Sequence, residues 1–86
     1  MEPVFWTYVL KSQKTGRHYT GSCEDFGERF AYHNAGYSRA TRHGVPWIVL
    51  SREQHPSREA AYARERYFKT GKGRDELKRL VASAAW

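Results

Sequence analysis

The first quarter of the chain has the pattern of hydrophobic and polar positions that predicts a β-hairpin. Residues 4–10 (VFWTYVL) are rich in β-branched and aromatic side chains, which favour a strand. The polar run SQKTG follows and contains Gly16, a residue that favours a turn. Residues 17–22 then form a second extended segment, so two antiparallel strands are expected here.

Helical spacing follows the hairpin. Asp25 and Glu28 form a variant of a capping box, and apolar residues recur at helical intervals after them, so residues 25–35 are predicted to form a helix. Residues 36–44 (GYSRATRHG) are polar and basic with a glycine at each end, which predicts an exposed loop. Residues 45–51 (VPWIVLS) predict a third strand with a proline near its beginning.

Two more helices are predicted in the C-terminal part of the chain. A long helix is expected to open at His55 to Ser57, because the intervening proline suits a first helical turn. It would run to Gly71, with Gly71 and Gly73 ending it. A short last helix follows, whose apolar stripe is Leu77, Leu80 and Val81. The order β-β-α-β-α-α predicts a single α+β domain over residues 1–86, with a small three-stranded, mainly antiparallel sheet flanked by helices.

Length and composition narrow this picture to one small core. Most of the three Trp, six Tyr and four Phe side chains in the 86 residues are needed to fill it. No stretch has the length and hydrophobicity of a membrane span, and residues 1–13 lack the pattern of a secretory signal. The lone Cys23 fits a reducing compartment and is expected to be simply packed. We therefore expect a cytoplasmic protein.

The charge distribution points to an anionic partner. The net charge is +6, and residues 41–86 carry ten Lys and Arg against five acidic residues. Arginine outnumbers lysine ten to five, and its planar guanidinium suits bidentate contacts with phosphate. Nucleic acid is a plausible partner, and a merely solubilising basic surface is the alternative.

Several familiar sites are disfavoured by spacing. The chain lacks a metal-binding histidine motif and a phosphate-binding glycine loop, and nothing marks Cys23 as a reactive nucleophile. Glu65 and Lys69 lie four residues apart on the predicted long helix, which is usual for a surface ion pair. If the hairpin turn is centred near residues 13 and 14, Tyr8 and Tyr19 fall nearly opposite each other, where they could simply be a packed pair.

One ordered set of residues is more specific than any of its parts. It consists of a tyrosine on the first strand, a Tyr-x-Gly about ten residues later, a helix with Arg and then His, and a later Glu. In this sequence the set reads Trp6-Thr7-Tyr8, Tyr19-Thr20-Gly21, Arg29, His33-Asn34, a loop over residues 38–46, and Arg64-Glu65-Arg66-Tyr67-Phe68-Lys69. This set resembles the GIY-YIG endonuclease superfamily over nearly the whole chain, and especially its short, standalone bacterial members.

The resemblance implies hydrolysis of DNA phosphodiester bonds by water, with a single Mg²⁺ or Mn²⁺. By this resemblance Glu65 is the sole protein ligand of the metal, and Arg29 stabilises charge on the phosphate. Tyr19, with Tyr8 nearby, positions or deprotonates the attacking water, and His33 takes up or relays the proton. These five side chains are expected to converge on one shallow basic face.

The same resemblance gives expectations for binding. DNA is the expected partner, with neither a membrane nor a small-molecule cofactor. Gly21 is expected to permit a close approach of backbone. Candidate phosphate contacts around the face are Arg17, Arg39, Arg42, Lys69, Lys72 and Arg74. A domain this small favours recognition of DNA structure or ends with little sequence specificity, as in DNA repair or processing.

Two other classes of function stay open. The alternative in the same family is a weak or inactive nucleic-acid-binding module. Its support is that Trp6, Thr7 and Thr20 replace the Gly and Ile residues of the two family motifs. In addition, longer members of the family carry a late Asn in the active site, and residues 70–86 contain none. A protein-interaction domain using Trp47 or Trp86 is the third class, although both are expected to be packing residues.

Overall fold

A three-stranded antiparallel sheet lies at the centre of the fold in the computed structural model, which describes residues 4–84. Its strands are β1 (Phe5–Ser12), β2 (His18–Cys23) and β3 (Trp47–His55), in the spatial order β2-β1-β3. The helices are α1 (Phe26–Asn34), α2 (Arg58–Tyr67) and α3 (Gly71–Ala84). The predicted α+β class and the order β-β-α-β-α-α are confirmed. Within the described residues, no helix has the length and hydrophobicity needed to cross a membrane.

The hairpin forms as predicted, but its register differs from the expected one. Tyr8 pairs with Gly21, and Tyr19 pairs with Leu10. The turn is centred about one residue later than expected, and in it the Ser12 hydroxyl accepts hydrogen bonds from the amides of Lys14 and Thr15, at 3.1 and 2.9 Å. Moving a turn centre by one residue moves the pairing by two, so Tyr8 and Tyr19 remain on the same face of the sheet.

The two faces of the sheet are covered by different helices. On one face, Tyr8 and Leu10 pack with Phe26 of α1 and with Trp47, which is buried as predicted. On the other face α2 lies close to β1, where the hydroxyl of Thr7 donates a hydrogen bond of 2.7 Å to a backbone carbonyl of the helix. This division of the helices decides which side chains can meet.

The first helix begins where the sequence predicts. Asp25 is the N-cap, and its carboxylate accepts a hydrogen bond of 3.0 Å from the amide of Glu28. The loop after α1 contains a short 3₁₀ helix, Arg42–Gly44, which the sequence did not indicate. Trp86 lies outside the described residues.

The predicted bounds of β3 and of the two later helices are wrong. His55 belongs to β3, because it pairs with Phe5 of β1, and Ser57 is the N-cap of α2. Gly71 and Gly73 begin α3 and do not simply end α2. A Cβ at Gly73 would collide with the backbone carbonyl of Tyr67, so the glycine allows α3 to start directly against the end of α2.

Candidate active site

A buried chain of three polar side chains lies between β1 and α1. The phenol oxygen of Tyr8 shares a hydrogen bond of 2.9 Å with Nε2 of His33, and Nδ1 of His33 shares one of 2.7 Å with the hydroxyl of Thr41. The three residues are only 1–2% exposed. Both imidazole nitrogens are therefore engaged, which fixes the orientation of the ring.

The protonation states of Tyr8 and His33 are set by their surroundings. Burial raises the pKa of Tyr8 far above its usual range, the neighbouring Tyr19 adds to this effect, and Arg29 opposes it. Burial lowers the pKa of His33, and Arg29 lowers it further. At neutral pH, Tyr8 is consequently a protonated phenol and His33 a neutral imidazole, which is able to accept a proton.

Tyr19 lies beside this pair and is more accessible. Its ring centroid is 5.2 Å from that of His33 and 6.4 Å from that of Tyr8. Tyr19 is half-buried, whereas Tyr8 is fully buried, so Tyr19 is the tyrosine that solvent can reach.

Gly21 allows a close contact, but the contact is made by a side chain. A Cβ at this position would lie 2.5 Å from the phenol oxygen of Tyr8 and 3.1 Å from the ring of Tyr19. The expected approach of backbone is therefore replaced by the approach of Tyr8, whose phenol occupies the space that a larger residue would fill. The glycine of the second motif thus helps to position the Tyr8–His33 pair.

Glu65 reaches the edge of the sheet from the opposite face. Its carboxylate accepts hydrogen bonds from the hydroxyl of Ser22, at 2.7 Å, and from the ammonium of Lys69, at 2.9 Å. Ser22 pairs with Thr7, so its side chain lies on the α2 face, whereas Tyr19 points to the α1 face. The expectation of one common face is wrong for Glu65, because helices α1 and α2 lie on opposite sides of the sheet.

The two groups nevertheless lie on either side of edge strand β2. Tyr8 packs against Gly21 of this strand, and the next residue, Ser22, holds Glu65 by a hydrogen bond. Arg29 lines a cleft of about 1110 Å³ that also has Ser22, the partner of Glu65, in its wall. The candidate site therefore wraps around the edge of β2, with the Tyr8–His33 pair on one side and Glu65 on the other.

The cleft contains two arginines that the sequence did not predict there, and three acidic residues, Glu24, Asp25 and Glu28, balance the arginine charge. Arg52 and Arg58 line it together with Arg29, although neither was expected at the site. Arg52 lies over the ring of Trp6, with its guanidinium carbon 5.1 Å from the ring centroid. Arg58 is close to Glu24, at 3.6 Å, which offsets part of its charge.

The six candidate phosphate contacts are distributed over several elements. Lys69 is the one that directly contacts a candidate catalytic residue, Glu65. The other five are exposed: Arg17 in the hairpin loop, Arg39 and Arg42 after α1, and Lys72 and Arg74 at the start of α3. Their exposure is compatible with phosphate contacts, and those contacts stay a prediction.

The remaining reactive candidates are packed as the sequence suggested. Burial raises the pKa of the Cys23 thiol to about 11, with Arg29 opposing the shift, so the thiol stays protonated at neutral pH. Within residues 4–84, no three His, Cys, Asp or Glu side chains cluster as a metal site. Glu65 is the carboxylate held against β2 by Ser22, while Glu24, Asp25 and Glu28 line the neighbouring cleft. One carboxylate, completed by waters and phosphate oxygens, is a common way to hold Mg²⁺, so the donor set fits a single hard cation.

Besides Arg52 and Arg58, two hydroxyl residues of the site were missed by sequence reasoning. Ser22 and Thr41 bind Glu65 and His33 by their hydroxyls, and small hydroxyl residues give no distinctive signal by spacing. The sequence held one weak signal for Thr41, which is a β-branched residue in a loop of small and basic residues. In the structure Thr41 is fully buried.

Comparison with known proteins identifies the family of this chain. The family model of the GIY-YIG catalytic domain matches residues 4–78. A UPF0213 protein of Streptococcus sanguinis (strain SK36) is 39% identical over 70 residues, which cover 80% of this chain and 79% of the relative. A UPF0213 protein of Streptococcus pyogenes serotype M5 (strain Manfredo) is 38% identical over 80 residues, or 91% of this chain and 85% of the relative. No solved structure matches the chain. The chain belongs to the GIY-YIG family, whose nucleases act on DNA and generally use a divalent metal.

Proposed function

We propose that this protein is a DNA endonuclease that hydrolyses phosphodiester bonds with one Mg²⁺ or Mn²⁺. The observation that supports this most is the buried Tyr8–His33 pair directly behind edge strand β2, where Ser22 holds Glu65. Arg29 lines the cleft beside this edge. A proton acceptor, a cation and a carboxylate are thus available around one strand.

Each group has a distinct part in the proposed reaction. Half-buried Tyr19 orients the attacking water. The water's proton passes to the phenol oxygen of Tyr8 as that phenol gives its own proton to Nε2 of the neutral His33. Arg29 stabilises the negative charge that grows on the phosphate. Glu65 would hold the metal ion, in exchange for its contact with Lys69. Bound there, the ion supplies positive charge to the phosphate and to the departing 3′ oxygen.

The burial of the polar chain favours a chemical role over a structural one. Burying a hydroxyl or an imidazole costs free energy unless each polar atom finds a partner. A phenylalanine at position 8 could fill the same core position without any such requirement. The protein instead joins Tyr8 to His33 and His33 to Thr41 by hydrogen bonds, which is what a proton-transfer site needs.

The proposed substrate follows from the size and charge of the domain. The exposed arginines and lysines would bind phosphates without reading bases, so affinity should depend strongly on salt and little on sequence. Recognition of DNA structure or ends, in repair or processing, is the proposed setting. The lone, half-buried cysteine is compatible with a reducing cytoplasm, which is the proposed place of action.

A nicking assay tests the proposal. Plasmid, single-stranded and branched DNA would be incubated with Mg²⁺ or Mn²⁺ and the wild-type protein, Glu65→Gln or Tyr19→Phe. We expect metal-dependent cleavage that disappears in Glu65→Gln and falls strongly in Tyr19→Phe. Glu59→Gln is the matched control, because Glu59 is an exposed glutamate in the first turn of the same helix.

The alternative is a nucleic-acid-binding module on the same scaffold. It is favoured by one observation, namely that both oxygens of Glu65 already have partners, as in a purely structural ion pair. The assay separates the two functions. Salt-dependent DNA binding that is unchanged in Glu65→Gln, with no cleavage under either metal, would establish the binding module.

A further inference from the structure

We propose that Tyr32 and Tyr37 form a stacking platform for an unpaired base of the DNA, beside the cleft whose wall includes Ser22, the partner of Glu65. The inference rests on the proposed function and specifies its substrate as DNA that contains a single-stranded segment. The platform is defined here as these two tyrosines together with the guanidinium of Arg29.

The two tyrosines are exceptions among the aromatic side chains. Within residues 4–84, Tyr32, Tyr37 and Tyr62 are the exposed aromatic residues, and all others are at least half-buried. Tyr37 is 74% exposed, the highest value of the three, and Tyr32 is 40% exposed. The core therefore does not need these rings, and their presence at the surface suggests a contact with something outside the chain.

The rings are held in a fixed arrangement. The centroids of Tyr32 and Tyr37 are 5.8 Å apart with an angle of 34° between the planes. The phenol of Tyr32 donates a hydrogen bond of 3.3 Å to the backbone carbonyl of Tyr37. The guanidinium carbon of Arg29 lies 5.3 Å from the centroid of Tyr32. The result is a continuous row of flat groups, Tyr37, Tyr32 and Arg29.

This row leads into the candidate site. Tyr32 and Arg29 line the cleft that also includes Ser22, and Ser22 holds Glu65 by a hydrogen bond. Arg29 is the group proposed to contact the scissile phosphate. A strand whose phosphate lies at Arg29 would therefore direct its neighbouring base along this row towards the exposed ring of Tyr37.

The chemistry of the row matches a nucleic acid strand. Aromatic rings stack with the bases of single strands, and arginine side chains nearby neutralise their phosphates. Arg39 follows Tyr37 by two residues and is exposed, so positive charge continues beyond the platform. In a duplex the bases are stacked on each other and present no free face, which limits the platform to unpaired bases.

Binding of fluorescently labelled DNA tests the platform without requiring cleavage. Fluorescence anisotropy with EDTA present would compare a single strand of about 20 nucleotides with its duplex. We expect Tyr37→Leu to raise the Kd for the single strand roughly tenfold and the Kd for the duplex less than about twofold. Tyr37→Phe keeps the stacking surface and should bind both DNAs like the wild type.

Tyr62→Leu is the matched control, because Tyr62 is an exposed tyrosine, 52% accessible, with Arg66 against its ring. It lies on α2 and does not line the cleft. The platform would be refuted by an unchanged Kd in Tyr37→Leu, by equal weakening for duplex and single strand, by equal weakening in Tyr62→Leu, or by a wild type that fails to bind single strands. A wild type that binds but never cleaves would refute the nuclease and leave the platform standing.

Discussion

Replacing Gly21 by alanine should disrupt the site through a single methyl group. The new Cβ would lie 2.5 Å from the phenol oxygen of Tyr8 and 2.7 Å from the carbon that carries it, where ordinary contacts begin at 3.4 Å. The backbone of Gly21 has a negative φ, which alanine tolerates. The predicted effect therefore comes from the clash with Tyr8 and not from backbone strain.

The magnitude follows from how tightly Tyr8 is held. Its ring is 2% exposed and packs edge-on against Phe26 at 5.4 Å, so it has little space for a retreat. Overpacking of this kind costs about 1–3 kcal/mol. A shift of about 1 Å would also break the 2.9 Å hydrogen bond to His33, which leaves a buried nitrogen without a partner at a further cost of about 1–3 kcal/mol. We expect a loss of about 2–6 kcal/mol in the free energy of unfolding.

Urea unfolding followed by tryptophan fluorescence measures this loss, and a double-mutant cycle assigns it. Tyr8→Phe removes the atom nearest to the new methyl group. Gly21→Ala should therefore cost at least about 1 kcal/mol less in the Tyr8→Phe protein than in the wild type. If Gly21→Ala alone fails to fold, recovery of folding in the double variant gives the same answer.

Gly27→Ala is the control for the methyl group itself. At Gly27, the nearest atom to a new Cβ is a carboxylate oxygen of Asp25 at 3.7 Å, which is an ordinary contact. Because the position lies in helix α1, alanine should stabilise the protein by up to about 1 kcal/mol. Strictly additive effects of Gly21→Ala and Tyr8→Phe would refute the reasoning, since they would show that the phenol does not occupy the space beside Gly21.

Three further predictions concern other parts of the site. Ser22→Ala removes the donor that positions Glu65, so it should lower the cleavage rate about tenfold and the free energy of unfolding by only about 1–3 kcal/mol. Ser22→Thr keeps a hydroxyl donor and should restore activity in the nicking assay. Burial lowers the pKa of His33, and the positive charge of Arg29 lowers it further. As the pH falls, the unfolded chain therefore binds a proton at His33 before the folded protein does. Urea unfolding of a His18→Gln variant should therefore show stability that is fully present above about pH 6.5 and decreases below it; stability independent of pH in this range would contradict the neutral imidazole. Because burial raises the pKa of Cys23 to about 11, iodoacetamide should alkylate it far more slowly in the folded than in the unfolded protein at pH 7.5, as followed by mass spectrometry, and similar rates would argue against burial.

Element types were more predictable from sequence than their contacts. The β-branched run of β1 and the Asp25 cap are local signals, and both were confirmed. Gly71 and Gly73 were misread because a glycine that ends one helix and a glycine that lets the next begin are identical in sequence. The structure distinguishes them by the carbonyl of Tyr67, which is a contact between two helices.

The candidate site shows the same limit. Helical spacing places Arg29 and His33 on one side of α1, and the family motifs identify Glu65, but neither specifies the face of the sheet on which α2 packs. That choice depends on the contact of Thr7 with α2 and on the pairing of Arg64 with Glu53, at 2.8 Å. Such contacts are long-range and follow from packing, so spacing alone led to the wrong expectation of one shared face.

The hydrogen bonds of the site join parts of the chain that are synthesised far apart. Tyr8 and His33 are 25 residues apart, and Ser22 and Glu65 are 43 residues apart. Contacts of such separation form late, after the intervening chain has been made and folded. A partly synthesised chain can form the hairpin but lacks Glu65 altogether. If the protein cuts DNA as proposed, it becomes able to do so only once α2 has docked, which protects the cell's DNA from incomplete copies of the protein.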